Sequence, residues 1–409
     1  MQNQIKEILE NLKKDSNYRT LIPQKHLSTK ITLLKTQNLA KDSTLNYAEN
    51  QKWLLNLANN DYLALAQDKE FLQKFLDSAL FRENCLFSST SSRLLSGNYE
   101  IYAKLEEFLK DKFNKEALLF NSGYHANLGA LGALSRLKNT LFIADKSIHA
   151  SHIDGLKSFN KVHFKRFSHN NTQELESLLQ KESGRFESIV ILSEGIFSIE
   201  GNFVPLSELV RLKKAFKNVY LYIDEAHSIG SFGENGLGIC ANLGLLNEVD
   251  FLVLTFGKAI ASVGACVLCG GIFKEYFINT ARSLIYSTAL PPLNVAFSLF
   301  SFLELSKMEH KRSHLADISQ FFKDNLKELN FEILGDYNII SLVLGENQRA
   351  VHFANELYKS GFFAPAIKYP TTPKNRALLR FSLNASMQKE ELNHLIFTLK
   401  EIACKSTKI

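Results

Sequence analysis

Two short apolar runs constrain this chain more than any other feature, because each stops abruptly in groups that can do chemistry. Val219-Tyr220-Leu221-Tyr222-Ile223 leads into Asp224-Glu225-Ala226-His227, and Phe251-Leu252-Val253-Leu254 leads into Thr255-Phe256-Gly257-Lys258. Neither run alternates apolar with polar residues, as a strand with one wet face would. Continuous apolar runs of strand length belong to parallel sheets covered on both faces. In such sheets ligands sit beyond the carboxyl ends of the strands. The pattern therefore predicts Asp224, His227, Thr255 and Lys258 on one rim of one sheet. A lone lysine or aspartate after a strand is ordinarily a loop or cap residue. The paired Asp-x-x-His and Thr-x-x-Lys, each closing an apolar strand, is much harder to obtain by accident.

The remainder of the chain supplies the sheet. Strands are expected at Ala117–Phe120, Thr140–Ala144, Val162–Phe164, Ser188–Leu192 and Ala265–Gly271, with helices near 99–113, 126–137, 149–158, 172–181 and 205–216 between them. Repeated strand–helix units specify an α/β fold with a large, mostly parallel sheet covered by helices and right-handed crossovers. Beyond Pro291-Pro292 a long helical stretch is followed by strands near Ile339–Leu344 and Leu378–Leu383 and helices near 313–329, 347–360 and 388–403, a smaller α+β unit. The expected organisation is an N-terminal helix and arm over 1–50, a large domain over 51–290 and a small C-terminal domain over 291–409. The apolar residues Ile5, Ile8, Leu9 and Leu12 have helical spacing and suggest a helix that packs on something outside itself.

An acid, an imidazole, a hydroxyl and a lysine on one rim suit pyridoxal 5′-phosphate: the lysine as Schiff-base partner, the carboxylate holding the pyridine nitrogen protonated. After the strand at 117–120 come Asn121-Ser122-Gly123-Tyr124 and a small-residue helix. Free backbone N–H groups at such a helix start favour an anion. A monophosphate fits better than a dinucleotide, since neither GxGxxG nor GxxxxGK[ST] is present. The net charge of +6 suits an anionic substrate, while the absence of a long basic block argues against nucleic acid. No run approaches the roughly 18 apolar residues of a membrane span, and the first ten residues lack the apolar core of a secretory signal, so a cytoplasmic location is expected. Five scattered cysteines argue against a disulfide framework. Cys266 and Cys269 lie in one strand, where positions i and i+3 point to opposite faces. His149-Ala150-Ser151-His152 places two imidazoles one helical turn apart, which could ligate a metal, but no third ligand follows nearby.

Taken together, Asp224-Glu225-Ala226-His227-Ser228-Ile229-Gly230, Thr255-Phe256-Gly257-Lys258 and Ile285-Tyr286-Ser287-Thr288-Ala289-Leu290-Pro291-Pro292 resemble the α-oxoamine synthases, pyridoxal-phosphate acyltransferases of fold type I. The resemblance runs from about residue 50 to 400. It implies that Lys258 is the Schiff-base lysine, that Asp224 pairs with the pyridinium nitrogen, and that His227 meets the ring's phenolic oxygen. It also implies His149 stacked on the ring in place of the metal reading, Ser198 beside it, and Gly123, Tyr124 and Thr255 on the phosphate. Thr288 would reach the phosphate of a second subunit, making a homodimer. Arg380 would hold the amino acid's carboxylate, Asn60 would belong to an active-site Asn-Asp-Tyr turn, and Arg19, Thr371 and Lys368 would face the acyl substrate. The implied reaction is decarboxylative condensation of L-alanine with pimeloyl-coenzyme A or its acyl-carrier-protein ester, in biotin biosynthesis.

The chain departs from the family pattern at three places. The usual glycine-rich loop reads Ser88-Ser89-Thr90-Ser91-Ser92-Arg93, the segment after Lys258 is Ala259-Ile260-Ala261, and Leu378-Leu379-Arg380 keeps one arginine of a pair. Lost glycines restrict φ and add side chains where substrate approaches. These changes bear on acyl-chain specificity. The alternatives are a sibling synthase using glycine or serine with another acyl-CoA, as a 2-amino-3-ketobutyrate CoA ligase does, a plain aminotransferase, and a non-catalytic cofactor-binding regulator.

Overall fold

The computed structural model describes residues 1–14, 17–33, 52–158, 161–329 and 331–406. The chain forms two compact units. The larger takes Asn60–Ala316 with Gly335–Tyr337, and the smaller takes Met1–Asn59, Asp317–Leu334 and Asn338–Ile409. The boundary expected near Pro291 thus falls within the larger unit. Pro292 is instead the first residue of the helix Pro292–Glu304, where a proline's missing N–H costs nothing.

The larger unit is built on a seven-stranded sheet. In chain order its elements are β1 (Glu116–Phe120), α1 (Gly123–Leu134), β2 (Thr140–Asp145), α2 (Ala150–Lys157), β3 (His163–Phe167), α3 (Thr172–Glu182), β4 (Ser188–Glu194), α4 (Leu206–Ala215), β5 (Val219–Asp224), β6 (Phe251–Thr255) and β7 (Ala265–Cys269). The strands lie side by side as β1-β7-β6-β5-β4-β2-β3. All run parallel except β7, which is antiparallel to both its neighbours. The apolar runs at 117–120, 140–144, 251–254 and 265–269 are buried at every residue, whereas β3, at the edge of the sheet, is partly open. One face, with Phe120, Phe142, Leu192, Tyr222, Val253, Val267 and Cys269, packs against Ala126, Ala130 and Ala133 of α1. Small residues on α1 let the helix lie close to the aromatic-rich sheet. Gly129 shows how close, since a Cβ there would stand 3.0 Å from Phe120 Cε1 of β1, tighter than ordinary contact.

Parallel direction places the carboxyl ends of β1, β2, β4, β5 and β6 on one rim, followed in turn by Ser122-Gly123, His149, Ser198, His227 and Lys258. Glu194 and Asp224 end β4 and β5 as register partners. The hydroxyl-rich loop is tied down rather than loose. Ser89 Oγ donates to Ala289 O at 2.7 Å, and Arg93 pairs with Glu106 at 2.6 Å while lying over the Tyr102 ring. Thr90, standing where the family pattern has glycine, adopts φ 55°, an unusual conformation for a β-branched residue.

The smaller unit contains an antiparallel sheet of Glu332–Leu334, Ile339–Gly345, Ala377–Ser382 and Ala366–Ile367, together with helices Asn347–Lys359 and Lys389–Ser406. A second sheet joins Gln24–Leu27, Lys30–Leu33, Leu54–Asn56 and Phe362–Phe363. Most of the expected arm, 34–51, lies outside the described residues. The first helix, Gln2–Lys14, buries none of its residues, and Ile5, Ile8, Leu9 and Leu12 are exposed.

Candidate active site

Asp224 is the centre of a buried polar network. Its Oδ2 accepts from Asn127 Nδ2 at 2.8 Å, and its Oδ1 accepts from the Ala226 N–H at 2.9 Å. Tyr222, two residues earlier and so on the same face of β5, donates its hydroxyl to Asn127 Oδ1 at 2.7 Å. That bond fixes which way the Asn127 amide points. The amide's N–H₂ then also donates to Ser151 Oγ at 3.0 Å. Ser151 Oγ lies 2.8 Å from His149 Nδ1, and the Ser151 N–H caps the same nitrogen at 3.3 Å. The Ser151 N–H can only donate, so Nδ1 is an acceptor, the Ser151 hydroxyl proton points to it as well, and the imidazole proton is on Nε2. Desolvation by the surrounding rim lowers the His149 pKa even though part of the ring is open; Asp224 pulls it back up and the Lys258 charge adds to the lowering. A neutral imidazole results.

A second group is centred on His227. Lys258 Nζ is 2.7 Å from His227 Nε2, and His227 Nδ1 is 2.5 Å from Tyr62 Oη. Tyr62 is fully buried and donates to Asn60 Oδ1 at 3.1 Å. The turn that carries them is held by Asp61, whose carboxylate accepts from the N–H groups of Leu65 and Ala66, both at 2.9 Å. Burial raises the Asp61 pKa.

Glu194 joins two of the rim loops. One oxygen accepts the His149 N–H and the other the Ser198 N–H at 3.2 Å. Burial, with the Asp224 charge as the next contribution, pushes its pKa up to about 8. Glu225 is buried on the opposite side of the strand end, where it accepts from Ser228 Oγ and from the N–H groups of Ile239 and Cys240 at 3.0 and 2.7 Å. It anchors the turn that presents His227.

The rim around the start of α1 is built differently. Ser122 caps α1 by accepting from the His125 N–H, which leaves the N–H groups of Gly123 and Tyr124 at the positive end of a twelve-residue helix. Gly123 and Thr255 approach so closely that a Cβ on residue 123 would collide with Thr255 Oγ1. Thr288 is exposed, and its carbonyl accepts from Asn121 Nδ2 at 2.7 Å. These features fit pyridoxal phosphate. A helix start and a hydroxyl can take the phosphate, and a buried carboxylate with fixed donors can take a ring nitrogen. His152 adds an orphaned buried atom, Nε2, 3.7 Å from Asp224 Oδ2. His152 Nδ1 bonds the His149 carbonyl at 3.1 Å, and among the described residues no three His, Cys, Asp or Glu side chains are grouped to hold a metal ion.

The larger unit therefore assembles His149, Ser198, Asp224, His227, Thr255, Lys258, Asn60, Gly123 and Tyr124 along one rim. Arg19, Lys368, Thr371 and Arg380 belong to the smaller unit. Arg380 lies in the strand Ala377–Ser382, flanked by buried Leu379 and Phe381. Lys368 is half-buried, which lowers its pKa, and Arg19 and Thr371 are exposed. Sequence reasoning missed Tyr62, Asn127, Ser151, His152, Tyr222 and Glu194. Two of these had a positional signal: Asn127 stands one turn after Gly123, and Tyr222 two residues before Asp224.

The family model for aminotransferase class I and II matches residues 52–399. The chain belongs to this family. A relative from Haemophilus ducreyi, an 8-amino-7-oxononanoate synthase, is 47% identical over 360 residues, covering 86% of this chain and 92% of that one. Among solved structures, 8-amino-7-oxononanoate synthase from Francisella tularensis superimposes with TM-score 0.74 at 26% identity, over 87% of this chain and 99% of that one. Serine palmitoyltransferase from S. paucimobilis, with pyridoxal phosphate bound as a myriocin adduct, gives TM-score 0.84 at 25% identity, over 99% and 98%. This member of the aminotransferase class I and II family is thus a pyridoxal-phosphate enzyme of fold type I and an acyltransferase of the α-oxoamine synthase group. No described helix is long and apolar enough to cross a membrane.

Proposed function

We propose that this α-oxoamine synthase condenses L-alanine with a pimeloyl thioester of coenzyme A or acyl carrier protein. The products would be 8-amino-7-oxononanoate, the free carrier thiol and carbon dioxide, in the biotin pathway of the cytoplasm. The observation that carries this reading is the 47% identity to the Haemophilus ducreyi synthase across 86% of the chain, joined to a rim that holds a carboxylate, an imidazole and a lysine in the required order.

Pyridoxal phosphate, when bound, supplies an electron sink for charge developing at the amino acid's α-carbon. Asp224 would hold the pyridine nitrogen, with its charge kept in place by Asn127 and the Ala226 N–H. His227 would meet the phenolic oxygen, and neutral His149 would cover one face. Gly123, Tyr124 and Thr255 would take the phosphate, and Ser198, held by Glu194, would line the ring. Lys258 takes the proton from the α-carbon before the carbon–carbon bond forms and returns one after carbon dioxide leaves. Arg380 would orient the substrate carboxylate; Asn60 would help frame the amino acid, and Arg19, Lys368 and Thr371 the acyl ester. Thr288 would complete the phosphate site of a second copy. The exposed Phe87, Leu95 and Tyr286 support a homodimer, since large apolar groups of this kind favour a covering partner.

One observation favours a second reading. The serine palmitoyltransferase structure superimposes more closely than the Francisella tularensis synthase does, which supports a sibling reaction with serine and a longer acyl chain. Thiol release by the purified protein with pimeloyl-coenzyme A and alanine, glycine or serine separates the two. Alanine-dependent release with the aminoketone mass is expected. Release only with serine or glycine, or only with another acyl ester, would overturn the alanine–pimeloyl assignment.

A further inference from the structure

His152 has no part in the chemistry described above, yet it is fully buried, one helical turn after His149 and beside the carboxylate on which the site is centred. Its two nitrogens differ. Nδ1 lies 3.1 Å from the His149 carbonyl, and a carbonyl can only accept, so Nδ1 carries the ring proton. Nε2 has no hydrogen-bond partner among the described residues. It lies 3.7 Å from Asp224 Oδ2, beyond hydrogen-bond reach, and the ring meets the Tyr222 ring edge-on. An acceptor nitrogen is thus buried unpaired beside a second acceptor. That arrangement carries a desolvation penalty that an apolar side chain of similar size would avoid, so packing alone gives no reason for an imidazole here.

We propose that His152 is a positioning residue that acts through Asp224: unprotonated, it leaves the carboxylate's charge to the pyridine nitrogen, and protonated, it draws that charge to itself. The inference rests on the reading of Asp224 as the partner of the pyridine nitrogen. The step is the gain of one proton from solvent. An N–H bond forms at Nε2, and the ring becomes an imidazolium that donates from Nδ1 to the His149 carbonyl and from Nε2 toward Asp224. The carboxylate then divides its charge between two cations and holds each less strongly than it would hold one. A proton on His152 and the protonated cofactor ring therefore compete for Asp224, and cofactor affinity falls as His152 titrates. Burial keeps the second proton off at neutral pH by lowering the His152 pKa, while Asp224 pulls it back up. The competition is thus confined to pH below the ordinary imidazole value of 6.5.

The groups that act on His152 are few. From β5 come Asp224, the larger charge, and the Tyr222 ring, whose hydroxyl is buried and pushed far up. From its own helix start comes His149, whose carbonyl holds Nδ1 and whose ring opposes a second charge; Asp154 acts on His149 in turn. Helix α1 contributes Asn127, which cannot titrate and donates to Asp224 Oδ2. Glu194 of β4 is coupled to the same carboxylate.

The test measures the affinity of the full chain for pyridoxal phosphate by equilibrium dialysis from about pH 8 to about pH 5, in wild type, His152→Gln and His152→Leu. Glutamine keeps a donor for the His149 carbonyl and takes no proton, so it separates the charge of the imidazole from its place in the helix. The ionisations of His149, Glu194 and the cofactor itself are common to the three proteins and cancel in the ratio of dissociation constants. The ratio of wild type to either variant should be flat above pH 6.5 and grow at least about threefold by about pH 5, as a single competing proton requires. His152→Gln carries the test if His152→Leu does not fold. A rise of less than about threefold would overturn the proposal, even if both variants bound the cofactor more weakly at every pH. Failure of the Asp224 reading looks different: with isotope-labelled cofactor, the magnetic resonance signal of the pyridine nitrogen would be the same in Asp224→Asn as in wild type.

Discussion

The two ends of the rim are built on opposite principles. Around Asp224 the groups are buried up to His149, whose ring opens to the rim, and each orientation is dictated by a neighbour: Tyr222 sets Asn127, Asn127 holds Asp224 and Ser151, and Ser151 sets His149. At the end proposed for the phosphate stand a helix start, the Thr255 hydroxyl and an exposed Thr288, and Tyr124 is 44% exposed. The first end is organised in advance by side chains of a single fold. The second relies on backbone geometry and stays open. The difference matches the chemistry each must do: charge developing at the ring has to meet dipoles already in place, whereas a phosphate needs only anchorage.

If that contrast is right, the two ends should respond to mutation unequally. Asp224→Asn keeps the shape and removes the charge, so turnover should fall on the order of 10²–10³-fold, the scale of a lost preorganised electrostatic partner, with cofactor still bound. Steady-state kinetics with a cofactor count checks this, and a fall of less than about tenfold would break the contrast. Thr255→Ala removes one of several phosphate donors. It should weaken cofactor binding by about tenfold, or ~1.4 kcal/mol, measured by equilibrium dialysis, with kcat at saturating cofactor nearly unchanged.

The smallest effect concerns Glu194. Its carboxyl has a pKa raised from the ordinary value to about 8, first by burial and then by Asp224. A raised pKa in the folded state means that folding favours the protonated form. The associated stability is complete below the unfolded carboxyl value and is lost as pH rises through about 8. Wild type should therefore lose melting temperature relative to Glu194→Gln as pH rises from the ordinary carboxyl value to about 8 and level off above it, by roughly 1 °C for each kcal/mol at ~2.1 cal/mol/K of unfolding entropy per residue. Parallel melting curves across that range would sharpen the comparison by showing that burial and Asp224 keep Glu194 protonated against the opposing pull of its N–H partners.

How much of this could be read from the sequence follows the same division. The sheet and the order of Asp224, His227, Thr255 and Lys258 were legible because a continuous apolar strand has little else it can be, and its last residues have to face the rim. Asn127 and Tyr62 were not legible. A single asparagine in a small-residue helix and a tyrosine in a polar turn are ordinary features until the fold brings them to Asp224 and His227. Thr90 lies in the loop that lacks the family's glycines, but its left-handed φ of 55° depends on how the loop is pinned by Ser89 and Arg93. Pro291-Pro292 read as a break between domains, and locally they are a helix start; a proline pair signals both equally well.

The most direct test of the account is to find which lysine carries the cofactor. Borohydride reduction of the loaded protein, followed by proteolysis and peptide mass mapping, fixes the pyridoxyl group where it is attached. The account predicts a single labelled residue, Lys258, and no label in Lys258→Ala. Label on any other lysine, or a loaded Lys258→Ala protein labelled as heavily as wild type, would contradict it.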